Sequence, residues 1–315
     1  MHRFLIFSAA VVLTLSALSR AQNAPEIGGT WTAELRTGKV FLQLRVSSPT
    51  GGDSSYGESI PVDEFGGIPA REPNFTVASI KFDLRREAGV FAFEGAFRDG
   101  RGAGLFVFTP RAAYVAEMKA LGYADDLTPW RQYQLATRDV GPTFVKALGA
   151  EGYEKLPLKT IMRAKTHGVT VEYLRALKAL GYGAVPMEGL IRVRDHGVTP
   201  ELIRELRAAA VAVSTLDDYV RLVDHGVRPQ YLAELKKAGY DKLAADELVR
   251  MRDHGVSAEY IDDLKGVGLK DLTVAQLVRL HDHGITPGFV NHVRARGYKD
   301  AGAEELVRLK NRGLY

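Results

Sequence analysis

Five histidines recur at a fixed spacing in the C-terminal two thirds of the chain: His167, His196, His225, His254 and His283 lie 29 residues apart. Four of them follow an acid, as Asp195-His196, Asp224-His225, Asp253-His254 and Asp282-His283. An Asp-His pair is the donor set of a general base, or of a metal ligand oriented by a carboxylate. The repetition argues against both, because a catalytic centre is needed once, whereas a residue at every helix end serves every repeat. A His in the last turn of a helix can meet carbonyls that lack intrahelical partners, and it suits the negative end of the helix dipole. His281 and His283, two apart on a helix, do not share a face and make no metal-binding pair. The five histidines are therefore read as structural helix ends, with no metal and no cofactor.

A second series is basic. Arg163, Arg192, Arg221, Arg250, Arg279 and Arg308 hold one slot in six consecutive units. In four units an acid precedes by four residues, Glu188, Asp217, Asp246 and Glu304, which is the favourable order for an i,i+4 pair. Such a pair contributes only about 0.3–0.5 kcal/mol and does not require Arg rather than Lys. The persistence of Arg implies bidentate contacts, either to carboxylates of the adjacent repeat or to an anionic ligand along a groove. These six arginines are the candidate partner-binding residues. No Gly-x-Ser-x-Gly elbow, phosphate loop or dinucleotide fingerprint accompanies them. Asp63, Glu64 and Glu94 could line a pocket, but their spacing specifies no hydrolase. The chain is read as a non-enzyme.

The elements that would position these residues repeat with the same period. Each His, and Arg312 in the next slot, is followed by Gly: Gly168, Gly197, Gly226, Gly255, Gly284 and Gly313. One unit decodes as two short helices. The first begins at sequences such as Thr199-Pro200 and ends at a Gly-Tyr such as Gly181-Tyr182; the second ends at the Gly after His. Helices of about three turns do not persist alone in water, so they must stack on neighbours to bury Leu, Val and Tyr. About seven such units, from Arg111 onward, predict an α-solenoid. The sequence stops in mid-repeat at Asn311-Arg312-Gly313-Leu314-Tyr315, which makes self-association through an uncapped last repeat a further expectation.

From Gly28 to Phe108 the apolar residues alternate instead, as in half-buried strands. Trp31, Ala33 and Leu35 share a face, as do Val40 to Val46, Ala78 to Leu84, and Phe91, Phe93 and Phe97; Leu105 to Phe108 is apolar on both faces. Five clear strands and a sixth near Ile60 predict a small antiparallel barrel or sandwich over residues 22–110, with a long Gly/Ser/Pro-rich loop from Ser47 to Asn74. Gly29-Thr30-Trp31 resembles the Gly-x-Trp opening of lipocalin barrels, although those need eight strands. The fold class is thus α+β and multidomain.

The phrases Leu180-Gly181-Tyr182, Arg194-Asp195-His196-Gly197-Val198-Thr199-Pro200 and Glu201-Leu202-Ile203-Arg204-Glu205-Leu206 resemble tandem repeats of uncharacterised secreted bacterial proteins. Similar repeats follow membrane metallopeptidases of the beta-lactam-receptor type. The resemblance implies an envelope protein but carries no activity, because the His-Glu-x-x-His zinc motif is missing. The N-terminus agrees with export. Met1-His2-Arg3, the apolar run Phe4 to Leu18 and Ser19-Arg20-Ala21 read as a signal peptide over residues 1–21, too short to span a bilayer. Of 315 residues, 46% are hydrophobic and 25% charged, with no cysteine; disulfides, thiolate metal sites and cysteine nucleophiles are excluded. A formal charge of +4, part of it in the leader, is too small for a nucleic-acid binder. The sequence thus points to a secreted, periplasmic or extracellular binding or scaffold protein with a protein or peptide partner. The alternatives are a small-molecule or glycan receptor in the β-domain and an envelope hydrolase.

Overall fold

A computed structural model describes residues 26–68, 74–123, 127–211 and 213–313. The chain divides into two compact units, Met1–Pro142 and Thr143–Tyr315. The expected signal peptide and the final Leu314-Tyr315 lie outside the described residues.

Among the described residues of the first unit, seven strands form one antiparallel sheet: β1 (Ile27–Arg36), β2 (Lys39–Ser47), β3 (Asp53–Pro61), β4 (Phe65–Gly66), β5 (Val77–Arg86), β6 (Gly89–Arg98) and β7 (Arg101–Pro110). Their order is β3-β2-β1-β7-β6-β5-β4. The two edge strands are consecutive in the chain, joined only by a 3-10 turn at Val62–Glu64. So short a link reaches only about 14 Å, so the sheet curls until its edges approach at that end. The result is an open half-barrel rather than a closed barrel or a sandwich. β3 falls inside the stretch read from sequence as a loop. Its only buried residue is Ile60, so it carries no alternation for the sequence to display.

The predicted faces line the concave side. Trp31, Leu42, Phe82, Phe91, Phe93, Phe97, Phe106 and Phe108 are buried. The Trp31 ring meets Phe82 edge-on at 5.1 Å, and its Nε1 donates to the Glu94 carbonyl at 3.2 Å. Gly95 and Gly104 face each other across β6 and β7. A Cβ on Gly95 would lie 2.7 Å from the Trp31 ring and one on Gly104 2.8 Å from its nitrogen, so bare backbone makes room for the indole. On β7 the other face is open, with Leu105 66% exposed.

Two helices complete this unit, α1 (Ala112–Ala120) and α2 (Pro129–Thr137). α2 starts at Thr128, which accepts from the Arg131 N–H, with Pro129 in the first turn. It packs on β1, β6 and β7. Tyr133 stacks on Phe106 at 6.2 Å and meets Phe91 and Phe108 edge-on. The concavity is therefore filled with aromatic rings. Sequence period alone groups these helices with the repeats; in the structure both fall in the first compact unit, Met1–Pro142.

The second unit holds α3 (Pro142–Ala150), α4 (Leu158–Thr166), α5 (Val171–Ala179), α6 (Met187–Asp195), α7 (Pro200–Ala208), α8 (Leu216–Asp224), α9 (Pro229–Lys237), α10 (Ala245–Asp253), α11 (Ala258–Gly266), α12 (Val274–Asp282), α13 (Pro287–Ala295) and α14 (Ala303–Asn311). From α4 on, even-numbered helices pack on the next even helix, and from α5 on odd helices on the next odd one. Thr170, Thr199, Ser257 and Thr286 cap odd helices through their hydroxyls. Even helices stop where Gly168 and its register equivalents take φ near +70°, which lets the next N–H reach back, as from Val169 to Ala164 at 2.9 Å. Odd helices end the same way at Gly152, Gly181, Gly239, Gly268 and Gly297; the third unit alone puts a side chain in that slot, Ala210 at φ +58°. Leu177, Leu206, Leu235, Leu264 and Val293 are fully buried. Among the described residues no helix is long and apolar enough to cross a membrane.

Candidate functional site

The six arginines lie in the last turns of the even helices, and four hold a carboxylate. Arg163 bonds Glu188 at 2.8 Å and Arg279 bonds Glu304 at 3.0 Å; Arg192 bonds Asp217 and Arg221 bonds Asp246. The partner is 25 residues ahead, in the first turn of the next even helix, not four residues back in the same one. Stacking of even on even helices brings one helix's last turn beside the next one's first turn, and the acids turn across that gap. In each rung only Nη1 is engaged, so the expected bidentate fork does not form. The guanidinium groups are about half exposed, with their other N–H groups left for solvent or a ligand. Arg250 breaks the series because Ala275 stands in the acidic slot; neither it nor Arg308 has a carboxylate partner among the described residues.

The histidines occupy the C-caps of α4, α6, α8, α10 and α12, and Arg312 that of α14. Their backbone N–H groups close the helix, as from His167 to Arg163 at 2.9 Å. The imidazoles do not turn back onto carbonyls. Nδ1 of His167, His196, His225 and His254 meets Asp195, Asp224, Asp253 and Asp282 at 2.5, 2.6, 2.6 and 2.8 Å, each 28 residues ahead. His283 makes the same contact with Asn311 at 3.0 Å. A carboxylate only accepts, so Nδ1 carries the proton and each Asp-His pair joins two units. The adjacent pairs Asp195-His196 to Asp282-His283 are thus divided between different rungs.

Two further series were not recognised in the sequence. Lys178, Arg207, Lys236, Lys265 and Arg294 occupy the last turns of the odd helices. Arg207 donates to the Leu180 carbonyl at 3.0 Å, Lys265 to Ala238 at 2.6 Å, and Arg294 to Val267, closing the end of the preceding odd helix. Lys178 pairs instead with Glu151. The mixture of Lys and Arg hides this series from a search for one residue type. The other series pairs a cation with an aromatic ring: Lys165 over Phe144 at 4.5 Å, Arg194 over Tyr173 at 5.3 Å, Arg252 over Tyr231 at 4.9 Å and Lys310 over Phe289 at 4.6 Å. His281 stands edge-on to Tyr260. In the remaining unit the two slots hold Leu202 and Val223, so ring and cation disappear together.

The same tyrosines tie units together by their hydroxyls. Tyr173, Tyr231 and Tyr260 donate to the carbonyls of Val198, Val256 and Ile285 at 3.1, 2.8 and 2.9 Å. Burial pushes each of these hydroxyls up to about 12. In the first unit Glu64 pairs with Arg86 at 2.5 Å and Glu94 with Lys81 at 3.4 Å, so these carboxylates are held separately. Among the described residues no three His, Asp or Glu side chains converge as metal ligands would. No protein-family model, curated protein or solved structure matches the chain. The chemistry of the site is therefore argued from its geometry, which offers a row of half-exposed guanidinium groups suited to carboxylates.

Proposed function

We propose that the protein is a secreted, non-catalytic binding or scaffold protein of the cell envelope, whose helical repeats form an α-solenoid that engages a protein or peptide partner through its arginine face. The observation that carries this reading is the recurrence of one inter-unit contact set. Bonds at offsets of 25 and 28 residues repeat along the array, which is how a solenoid presents one extended, regular surface. Resemblance to secreted bacterial repeat proteins supports the location. A receptor role for the concavity of the β-domain has less support, because Trp31, the Phe residues and Tyr133 fill it.

Arg250 and Arg308 make the test specific, since neither holds a carboxylate whose loss would weaken the fold. Full-length protein immobilised on a resin is expected to retain an acidic partner from its own envelope fraction, and the Arg250→Glu, Arg308→Glu variant to release it with an unchanged melting temperature. Equal retention by both proteins would remove the arginine face from the binding role.

A further inference from the structure

Two units of the array lack an aromatic side chain in a slot that holds Tyr in the other four, and in one of them the replacement is as small as Val. The residue after the left-handed slot at the end of each odd helix is Tyr153, Tyr182, Val211, Tyr240, Leu269 and Tyr298 in successive units. At Tyr153, Tyr182 and Tyr240 the side chain reaches the next unit, whereas Tyr298 is exposed. Tyr153 donates to the Val185 carbonyl at 2.7 Å and Tyr240 to the Leu272 carbonyl at 2.6 Å, each 32 residues ahead. Tyr182 instead takes a hydrogen bond from Arg207 at 3.1 Å, with that guanidinium over its ring at 5.4 Å.

Val211 is the smallest side chain in the series, and beside it is a cavity of about 380 Å³. Its inner walls are apolar, with Ala209, Val211, Leu232 and Leu248, and the charged Glu205 and Asp241 also line it. Leu243, 32 residues ahead of Val211, also lines it, so the root and the acceptor end of the missing phenol border one space. Lys236 lines it too, in the slot that Arg207 holds beside Tyr182. Among the described residues the Lys236 ammonium makes no hydrogen bond or ion pair, unlike the side chains of Arg207, Lys265 and Arg294 in the same series. An apolar cavity of about 150 Å³ suffices for benzene, and ligand pockets start near 300 Å³, so a substituted ring fits.

The geometry points to this cavity as a binding site for a phenol ring supplied from outside the chain. The ring takes the place of the absent Tyr, its hydroxyl donates to the Leu243 carbonyl, and the Lys236 ammonium lies over its face. The inference deepens the binding role proposed above and rests on it. Titration of small phenols isolates the cavity, whereas partner retention tests the arginine face, so the two can fail separately.

The test uses the full chain with p-cresol and N-acetyl-L-tyrosinamide as probes, followed by NMR. Saturable shifts confined to Val211, Leu232 and Leu248 are expected. N-acetyl-L-phenylalaninamide, which lacks the hydroxyl, is expected to bind about two- to tenfold more weakly than the tyrosine probe. Val211→Tyr restores the plug; it should raise the melting temperature and abolish probe binding. If that variant fails to fold, Val211→Leu, the residue type already present at Leu269, serves as the blocking variant. Binding of both probes assigns the site to a partner's tyrosine, and binding of p-cresol alone assigns it to free phenols. No saturable binding by either probe, or undiminished binding in the blocked variant, overturns the inference.

Discussion

Ala210 allows the register of the array to be tested by a pair of opposite substitutions. Its φ of +58° lies in the left-handed region, where the equivalent residues are Gly152, Gly181, Gly239, Gly268 and Gly297, with φ between +78° and +101°. An L side chain there costs about 1–2 kcal/mol. Glycine relieves that strain but adds roughly 0.4–1 kcal/mol of unfolded-state entropy, leaving Ala210→Gly stabilising by about 0.5–1 kcal/mol. The reverse change, Gly239→Ala, should lose a similar amount, because a Cβ at Gly239 would meet only the Lys265 Nζ, at an ordinary 3.8 Å. For a unit of this size each shift amounts to about 1–4 °C in melting temperature, of opposite sign, read by far-UV circular dichroism. The combined variant should melt near the parent temperature, since the sites lie in different units. If Ala210→Gly lowers the melting temperature, or Gly239→Ala leaves it unchanged, the slot is not governed by backbone conformation and the reasoning fails.

Ala275→Glu supplies the missing carboxylate opposite Arg250 and should stabilise by about 0.2–1 kcal/mol at low salt; a gain that survives molar salt would contradict an ion-pair origin. Tyr133, Tyr173, Tyr231 and Tyr260 are pushed up to about 12 by burial, so the folded state favours the neutral phenol. Their contribution to stability is whole below the ordinary phenol value near 10 and is lost as pH rises toward about 12. The phenolate absorbance of these four should therefore appear together with unfolding, and their titration near pH 10 in a folded protein would refute the assignment. Gly104→Ala drives a methyl into the Glu94 backbone and the Trp31 ring, with an expected loss of about 1–3 kcal/mol and a red shift of Trp31 fluorescence; unchanged emission would mean that the sheet has room there.

The strands around Trp31 and the Phe series were legible because one face is buried and the other wet, which writes alternation into the sequence. β3 was not legible, since an edge strand with one buried side chain has no such pattern. The two-helix unit could be read because Gly in the left-handed region leaves a mark at every helix end. The arginine and histidine series were visible as repeats, but their partners were not. Sequence offers Glu188 as an i,i+4 neighbour of Arg192, while helix stacking gives it to Arg163. The Lys236 cavity was beyond reach for the same reason: Val211 looks like an ordinary apolar residue until Tyr153 and Tyr240 show what its slot normally holds.

The arginine–carboxylate rungs and imidazole contacts of the second unit run from one 29-residue unit to the next, none to the unit beyond it. The array therefore has something like a reading frame. Removing or duplicating a whole unit keeps the 25- and 28-residue offsets, so most remaining donors still face an acceptor of the same kind, the exception being a rung brought opposite Ala275; an insertion of one residue displaces the rung it falls in. Length can change in steps of one unit without a redesign of what remains, and a lineage or an engineer could lengthen the arginine face by duplication alone.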